Sequence, residues 1–269
     1  MYPTLFQIGH FRLSTYGLMM MTAFIAGIWL AVRRGRARGV PAEFIQDIST
    51  VILLSSLLGA RGLYILTHLD EFRGDWWSTV NPMQADGTIG IAGLVLVGGV
   101  LAAIPAAIWY TRKRGQNVLE VIDLLSPSLA LGMALGRVGC LLNGCCYGKS
   151  CELPWAITYP ESSHLHMLGA IHPTQAYLML GDLGLMALLL WLARRRRFPG
   201  QIFASFLMAY APLRFTVEFL RDYEASMILG QVGTWSVTTS QMISLGMFLV
   251  GAVLHRMWSG GAPTVEAKA

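Results

Sequence analysis

Charged residues are scarce in this chain. Of its 269 residues, 13% are charged and 54% are hydrophobic, and the mean hydropathy is +0.53. Soluble domains carry about 25% charged residues, close to twice that share. A chain this poor in charge is not expected to face water over most of its surface. The composition therefore excludes a soluble globular domain and predicts a membrane protein with several helical spans.

The chain also shows no internal repeat and no soluble domain. Its net charge of +5 would suit a nucleic-acid-binding protein, but the basic residues stand in short runs between apolar stretches, at 33–38, 112–114 and 194–197. Basic loops between apolar stretches are typical of the cytoplasmic side of membrane proteins. We therefore expect no nucleic-acid partner. The missing repeat counts against the inverted-repeat transporters.

Seven apolar stretches approach the roughly 20 residues that a helix needs to cross a bilayer. They cover Tyr16–Val32, Phe44–Leu66, Thr88–Tyr110, Val118–Leu142, Thr174–Ala193, Gln201–Leu220 and Val237–Trp258. No basic region precedes the first stretch, so we expect it to be retained as a helix rather than cleaved as a signal peptide. The sequence predicts an all-α polytopic membrane protein, with one transmembrane domain over 1–258 and a disordered cytoplasmic tail over 259–269.

The charges of the loops predict the orientation. The three basic runs follow the first, third and fifth stretches, whereas the other loops are mainly acidic. The positive-inside rule then places the N-terminus in the periplasm and the C-terminus in the cytoplasm. Two longer segments, Thr67–Gly87 and Asn143–Pro173, would lie on the periplasmic side.

Seven ionisable residues fall in or near the predicted spans, where a charge is costly and therefore a candidate for function. They are Asp47, Arg61, Asp123, Arg137, Asp182, Arg214 and Glu218. For the three aspartates, a structural ion pair or contact with the membrane interface is an equally good interpretation.

The arginines of the later spans suggest a ligand. Arg214 and Glu218 are four residues apart, so they share a helix face and can pair, and Arg221 lies one turn further on. Arg137 belongs to the outer half of the fourth span. Guanidinium groups bind phosphate oxygens bidentately and stay charged in a low dielectric. We therefore predict that these residues meet around the head group of a phospholipid, in the outer half of the membrane.

Three motifs carry a resemblance to a known family. The segment Gly136–Gly148 (GRVGCLLNGCCYG), His172–Tyr177 (HPTQAY) and Arg214–Arg221 (RFTVEFLR) follow one another in an order that resembles the prolipoprotein diacylglyceryl transferases. Gly59–Tyr64 (GARGLY) and Gly93–Gly99 (GLVLVGG) fit the same order. Each motif alone would be weak, but their combination covers nearly the whole chain.

The resemblance implies an enzyme of the bacterial inner membrane, with its active site toward the periplasmic leaflet. It would move the diacylglyceryl group of phosphatidylglycerol onto the lipobox cysteine at a prolipoprotein signal peptide, forming a thioether. Arg137 and Arg214 would stabilise the departing phosphate, with Glu218 orienting Arg214. The residues implied to bind phosphatidylglycerol are Arg137, Tyr16, Asn143, Arg214 and Arg221. Arg61 would pair with a carboxylate.

The chain departs from the family pattern at the residues of acid–base chemistry. Val97 stands where the family often has histidine, and Leu178 stands where it usually has glutamate. The base that deprotonates the acceptor thiol would then be His172 or His10, or no dedicated base is needed, or the acceptor differs. His172 is equally open to a structural role. The alternatives are a related lipid transferase with another acceptor, and a phospholipid-binding or transport protein without chemistry.

The four cysteines, at 140, 145, 146 and 151, fall within 12 residues on the predicted periplasmic side. Disulfides and simple packing in a glycine-rich loop are interpretations of similar weight. A metal site is a weaker one, because the spacing C-x4-C-C-x4-C matches no established zinc pattern. A catalytic cysteine lacks a clear histidine partner. We predict no metal and no cofactor.

Overall fold

The computed structural model describes residues 4–8, 11–72, 93–161, 164–223, 227–232 and 235–260. Seven long helices account for most of these residues. They are α1 (Thr15–Arg36), α2 (Ala42–Thr67), α3 (Leu96–Lys113), α4 (Val118–Asn143), α5 (Thr174–Ala193), α6 (Gln201–Glu218) and α7 (Thr239–Gly260). Two short 3-10 turns, Leu69–Phe72 and His164–Leu168, lie between them.

Each predicted span overlaps one of these helices. The bounds of α5 agree with the prediction, whereas α3 begins at Leu96 rather than Thr88; residues 88–92 lie outside the described residues. Among the described helices, α1, α2, α4, α5 and α7 are long and apolar enough to cross a bilayer. The protein is therefore a polytopic membrane protein. The count of seven spans, the orientation of the termini and the single domain over 1–258 stay predictions.

Two β-hairpins precede α1 and α7, and hydropathy did not predict them. Strand β1 (Thr4–Ile8) pairs antiparallel with β2 (Phe11–Ser14), and β3 (Ile228–Val232) pairs antiparallel with β4 (Trp235–Thr238). Strands of four or five residues are too short for their alternation to stand out in an apolar sequence. The predicted tail falls mostly on 261–269, outside the described residues, and α7 continues through its first two residues.

The chain divides into two compact units. The unit formed by Thr4–Ser14 and Val32–Val121 contains α2 and α3, which are paired closely through glycines. A Cβ added at Gly98 would lie 2.3 Å from the carbonyl oxygen of Gly59, so neither position accepts a side chain without separating the helices. At the end of this helix pair that carries the basic run 112–114, Asp47 accepts hydrogen bonds from Tyr110 (2.7 Å) and Arg114 (2.8 Å). Asp47 therefore has a structural role, which was one of the two interpretations of the sequence.

The other unit comprises Met1–Pro3, Thr15–Ala31 and Ile122–Ala269. Here α1 lies along α4, because small residues allow close approach. A Cβ at Gly136 would lie 3.7 Å from the sulfur of Met20, and one at Gly132 would lie 3.9 Å from a carbonyl of α1. The small-residue motif Gly132-x-x-x-Gly136 is thus a helix-packing surface, as is typical of membrane helices.

Asp123 organises the basic end of this second unit. Its buried carboxylate accepts hydrogen bonds from the backbone N–H groups of Gly200 (2.8 Å) and Phe203 (2.9 Å) at the start of α6, and it pairs with Arg196 at 3.4 Å. A carboxylate at a helix N-terminus satisfies unpaired N–H groups and the helix dipole. Asp123 therefore has a structural role at this end of the unit. The candidate site lies at the opposite end.

Candidate functional site

Backbone hydrogen bonds bring the three sequence motifs together. The segment through Gly148 and Lys149 runs between His172 and the end of α6: the N–H of Gly148 donates to the carbonyl of His172 (3.0 Å), and the N–H of Lys149 donates to Leu220 (2.8 Å). A Cβ at Gly148 would lie 2.5 Å from that of His172 and 2.6 Å from the Leu220 carbonyl oxygen. Only glycine fits there, which explains why this motif ends in glycine.

Glu218 is the centre of a buried ionic network. Its side chain is fully buried and pairs with Arg214 and, at 3.5 Å, with Arg221, so the pairing predicted from their spacing is confirmed. The hydroxyl of Thr238 donates to Oε1 of Glu218 at 3.1 Å, and Arg214 donates to Ser240 at 2.9 Å. Burial of a carboxylate is costly unless its oxygens are paired. These contacts meet that requirement and hold the Arg214 side chain in place.

The start of α7 is fixed by a capping box. The backbone N–H of Thr238 donates to Oε1 of Gln241 at 3.0 Å, and the N–H of Gln241 is 3.3 Å from the Thr238 hydroxyl. This reciprocal arrangement satisfies donors that a helix N-terminus leaves unpaired. Both side chains are buried. Thr238 thereby joins the cap of α7 to the ionic network of α6.

Asp182 is a further candidate site residue, for which a structural role was an equally good interpretation of the sequence. It is the one charged residue of α5, it is fully buried, and neither carboxylate oxygen has a hydrogen-bond partner among the described residues. Arg137 of α4 and Arg214 of α6 both lie within electrostatic range of it, and Tyr210 interacts with the same three charges. Arginines from two separate helices therefore act on one carboxylate, and their meeting around a phospholipid head group stays a prediction. The signal available in the sequence was one carboxylate in an otherwise apolar helix.

Tyr16 and Asn143 lie at the same end of the unit. Tyr16, in the first turn of α1, lies within electrostatic range of Arg137, and its ring would be 3.2 Å from a Cβ at Gly139. Asn143 is the last residue of α4, and its side chain interacts with Cys145. Both predicted binding residues thus border the region that contains Arg137.

Three of the cysteines form a cluster in this region. The sulfurs of Cys140, Cys145 and Cys146 all lie within 4.8 Å of one another, and all three are free thiols. The pKa of Cys146 is lowered, because the thiols of Cys140 and Cys145 hydrogen-bond to its sulfur and because the positive charges of Arg221 and Arg137 favour the thiolate. The spacing in the sequence did not indicate that these sulfurs would meet.

His172, one of the proposed bases, lies beside Gly148, and its role as a base stays a prediction. His172 is hydrogen-bonded through Nδ1 to the hydroxyl of Tyr177 (3.3 Å), and its carbonyl accepts from the N–H of Gly148. Leu178 is buried, and Val97 belongs to the other unit, where 59% of its surface is exposed. Arg61, also in that unit, donates to the carbonyl of Gly93 at 3.5 Å, and its pairing with a carboxylate stays a prediction. His10 lies outside the described residues.

Comparison with known proteins gives one consistent result. Residues 3–257 match the family model described as prolipoprotein diacylglyceryl transferase. The phosphatidylglycerol–prolipoprotein diacylglyceryl transferase of Clostridium tetani is 31% identical over 255 residues, which cover 93% of this chain and 95% of that protein. The proteins of the same name from Gloeobacter violaceus and Vibrio atlanticus are 32% and 31% identical, over 93% and 96% of this chain and 90% of each relative.

Proposed function

Because the chain belongs to the prolipoprotein diacylglyceryl transferase family, we propose that it transfers the diacylglyceryl group of phosphatidylglycerol to the lipobox cysteine of prolipoproteins. The observation that carries this proposal is the convergence of Arg137 and Arg214 around Asp182, next to Arg221 and Glu218. A phospholipid head group is an anion that two or three guanidinium groups can bind in a region of low dielectric.

The arginines have a direct role in this reaction. The acceptor sulfur attacks the glycerol carbon that carries the phosphate ester, the carbon–oxygen bond breaks, and glycerol phosphate leaves with the electron pair. Negative charge grows on the departing phosphate, so preorganised cations there lower the barrier. Arg137 and Arg214 bind the phosphate, Arg221 adds positive charge, and Glu218 positions Arg214. Tyr16 and Asn143 line the edge of the head-group site. The contacts of His172 favour a structural role.

We place this site at the periplasmic leaflet of the inner membrane. The basic run 194–197 belongs to the same unit as the site, and Arg196 of this run binds Asp123 at the opposite end of α4 from Arg137. If that basic end is cytoplasmic, as the positive-inside rule requires, the arginine site faces outward. Prolipoprotein signal peptides and phosphatidylglycerol would both reach it from the bilayer.

The test is a transfer assay with purified full-length protein, phosphatidylglycerol vesicles and a lipobox peptide, with the product identified by mass spectrometry. We expect a peptide heavier by one diacylglyceryl group. Arg137→Ala should abolish turnover in correctly inserted protein, whereas the matched control Arg195→Ala, in the basic run after α5, should retain it. Absence of product with several lipobox peptides would contradict the proposal. Release of glycerol phosphate without peptide modification would instead support a transferase with another acceptor, which Val97 and Leu178 leave open.

A further inference from the structure

The three-cysteine cluster has the geometry of a metal site. Cys140 lies in the last turn of α4, and Cys145 and Cys146 lie in the turn that follows. Their sulfurs are within 4.8 Å of one another. Sulfurs bound tetrahedrally to zinc at about 2.3 Å are about 3.8 Å apart. Small rotations of the side chains would therefore place all three around one ion.

The backbone around the cluster is held in an unusual conformation. Cys146 has a φ of +61°, and it is the one non-glycine residue with positive φ among those described. Its carbonyl accepts a hydrogen bond from the Thr174 hydroxyl (2.7 Å), and the Cys145 carbonyl accepts one from Nε2 of Gln175 (2.8 Å). A left-handed backbone conformation costs free energy for any residue that has a side chain, and such residues cluster at active sites and ligand-binding sites. Simple packing of a small side chain would not require it.

Charge also favours a cation bound by thiolates. Three thiolates around a divalent ion carry a net charge of −1, and Arg137 and Arg221 lie within electrostatic range of Cys146. Their guanidinium groups would balance that charge in a region of low dielectric. A disulfide fits less well, because adjacent cysteines such as Cys145 and Cys146 rarely bond to each other. Any single disulfide would leave the third sulfur unused.

We propose that Cys140, Cys145 and Cys146 bind one zinc-class divalent cation through three thiolates, and that the fourth position of this ion takes the acceptor thiol. The second half rests on the proposed function. Structural zinc sites use four protein ligands, whereas sites that act on a substrate use three and keep one position open. The acceptor of this reaction is itself a thiol, the ligand that such an ion prefers.

The chemistry balances without an oxidant or reductant. Binding to the ion releases the thiol proton to water, because a thiol coordinated to zinc is deprotonated. The thiolate forms the new carbon–sulfur bond, the carbon–oxygen bond of the ester breaks, and its electron pair leaves on glycerol phosphate. The ion would thus supply the deprotonation that Val97 cannot. It also places the acceptor sulfur beside Arg137, where the phosphate departs.

The first experiment measures metal content. Full-length protein purified in detergent, as wild type and as two variants, is analysed by elemental mass spectrometry and titrated with Co²⁺, whose thiolate complexes absorb in the near ultraviolet. We expect about one zinc per chain in the wild type and in the control Cys151→Ser, whose sulfur is outside the cluster. The combined Cys140→Ser, Cys145→Ser, Cys146→Ser variant should bind none. Equal metal in all three proteins, or a disulfide within the cluster of active protein, would overturn the site.

The second experiment measures transfer by chelator-treated wild type before and after Zn²⁺ is restored, which avoids any folding defect of a variant. At pH 7 a free thiol with a pKa near 8.5 is about 3% thiolate, so removing the ion should slow transfer by up to about thirtyfold. The deficit should shrink toward pH 9. Equal rates with and without metal would overturn the acceptor role. Absence of product under every condition would count against the proposed function, while metal content would still decide the site.

Discussion

The hydroxyl of Thr238 donates a 3.1 Å hydrogen bond to the buried carboxylate of Glu218. This bond joins the first residue before α7 to the end of α6, and Glu218 in turn holds Arg214 and Arg221. The position of two arginines therefore depends on a threonine that carries no charge and that the sequence motifs do not include.

Thr238→Val should destabilise the protein and slow transfer. The substitution keeps the shape of the side chain but leaves Oε1 of Glu218 without this donor and the N–H of Gln241 without its acceptor, at a cost of about 1–3 kcal/mol for the first of these alone. Thermal unfolding in detergent and the transfer rate measure the effect. Thr239→Val is the matched control, since that exposed side chain donates to the Met227 carbonyl at 3.3 Å and does not contact Glu218. Equal unfolding temperatures for the two variants would show that the Glu218 contact is unimportant.

Glu218→Gln should be more harmful than its small change in shape suggests. It removes the charge that balances two buried guanidinium groups, and breaking one side of a buried ion pair costs about 3–5 kcal/mol. We expect a lower unfolding temperature and little transfer activity. Glu152→Gln, at an exposed loop position, is the control. A fully active Glu218→Gln protein would mean that Arg214 needs no positioning.

Asp182→Asn should strengthen the binding of phosphatidylglycerol. The carboxylate of Asp182 lies within electrostatic range of Arg137 and Arg214, so removing its negative charge leaves more net positive charge for a phosphate. A gain on the order of 1 kcal/mol would lower KM about fivefold and strengthen product inhibition by glycerol phosphate to a similar degree. Steady-state kinetics at several glycerol phosphate concentrations make the measurement. An increase in KM would contradict this assignment.

Gly148→Ala should disrupt the site without changing any charge. The added methyl would meet His172 and the Leu220 carbonyl at 2.5 and 2.6 Å, so the three motifs would have to separate. Overpacking of this kind costs about 1–3 kcal/mol. Gly184→Ala, where an added Cβ meets no atom of another described segment within 4 Å, is the control and should leave transfer unchanged without lowering the unfolding temperature. A neutral Gly148→Ala would indicate that this segment has room to move.

The sequence predicted the helices better than it predicted the site. Hydropathy located all seven helices because apolar length is a strong signal in membrane proteins. The ion pair of Arg214 with Glu218 followed from helical spacing. The hairpins before α1 and α7 were missed because their strands are short.

Two features of the site depend on tertiary contacts, which the spacing of residues along the sequence does not predict. Asp182 joins the arginines only because α4, α5 and α6 pack with their charged faces together. The sulfur cluster depends on the left-handed conformation at Cys146 and on hydrogen bonds from Thr174 and Gln175, about 30 residues away in sequence.

Helix α6 is anchored at both of its ends, by Asp123 at Gly200 and Phe203 and by Thr238 at Glu218. Its 18 residues span about 27 Å. The distance between Arg214 and the basic end of the unit, where α6 begins, is therefore fixed by the length of this helix. A bilayer of longer or shorter acyl chains would move the lipid phosphate relative to Arg214, so we expect transfer to depend on bilayer thickness as well as on head-group chemistry.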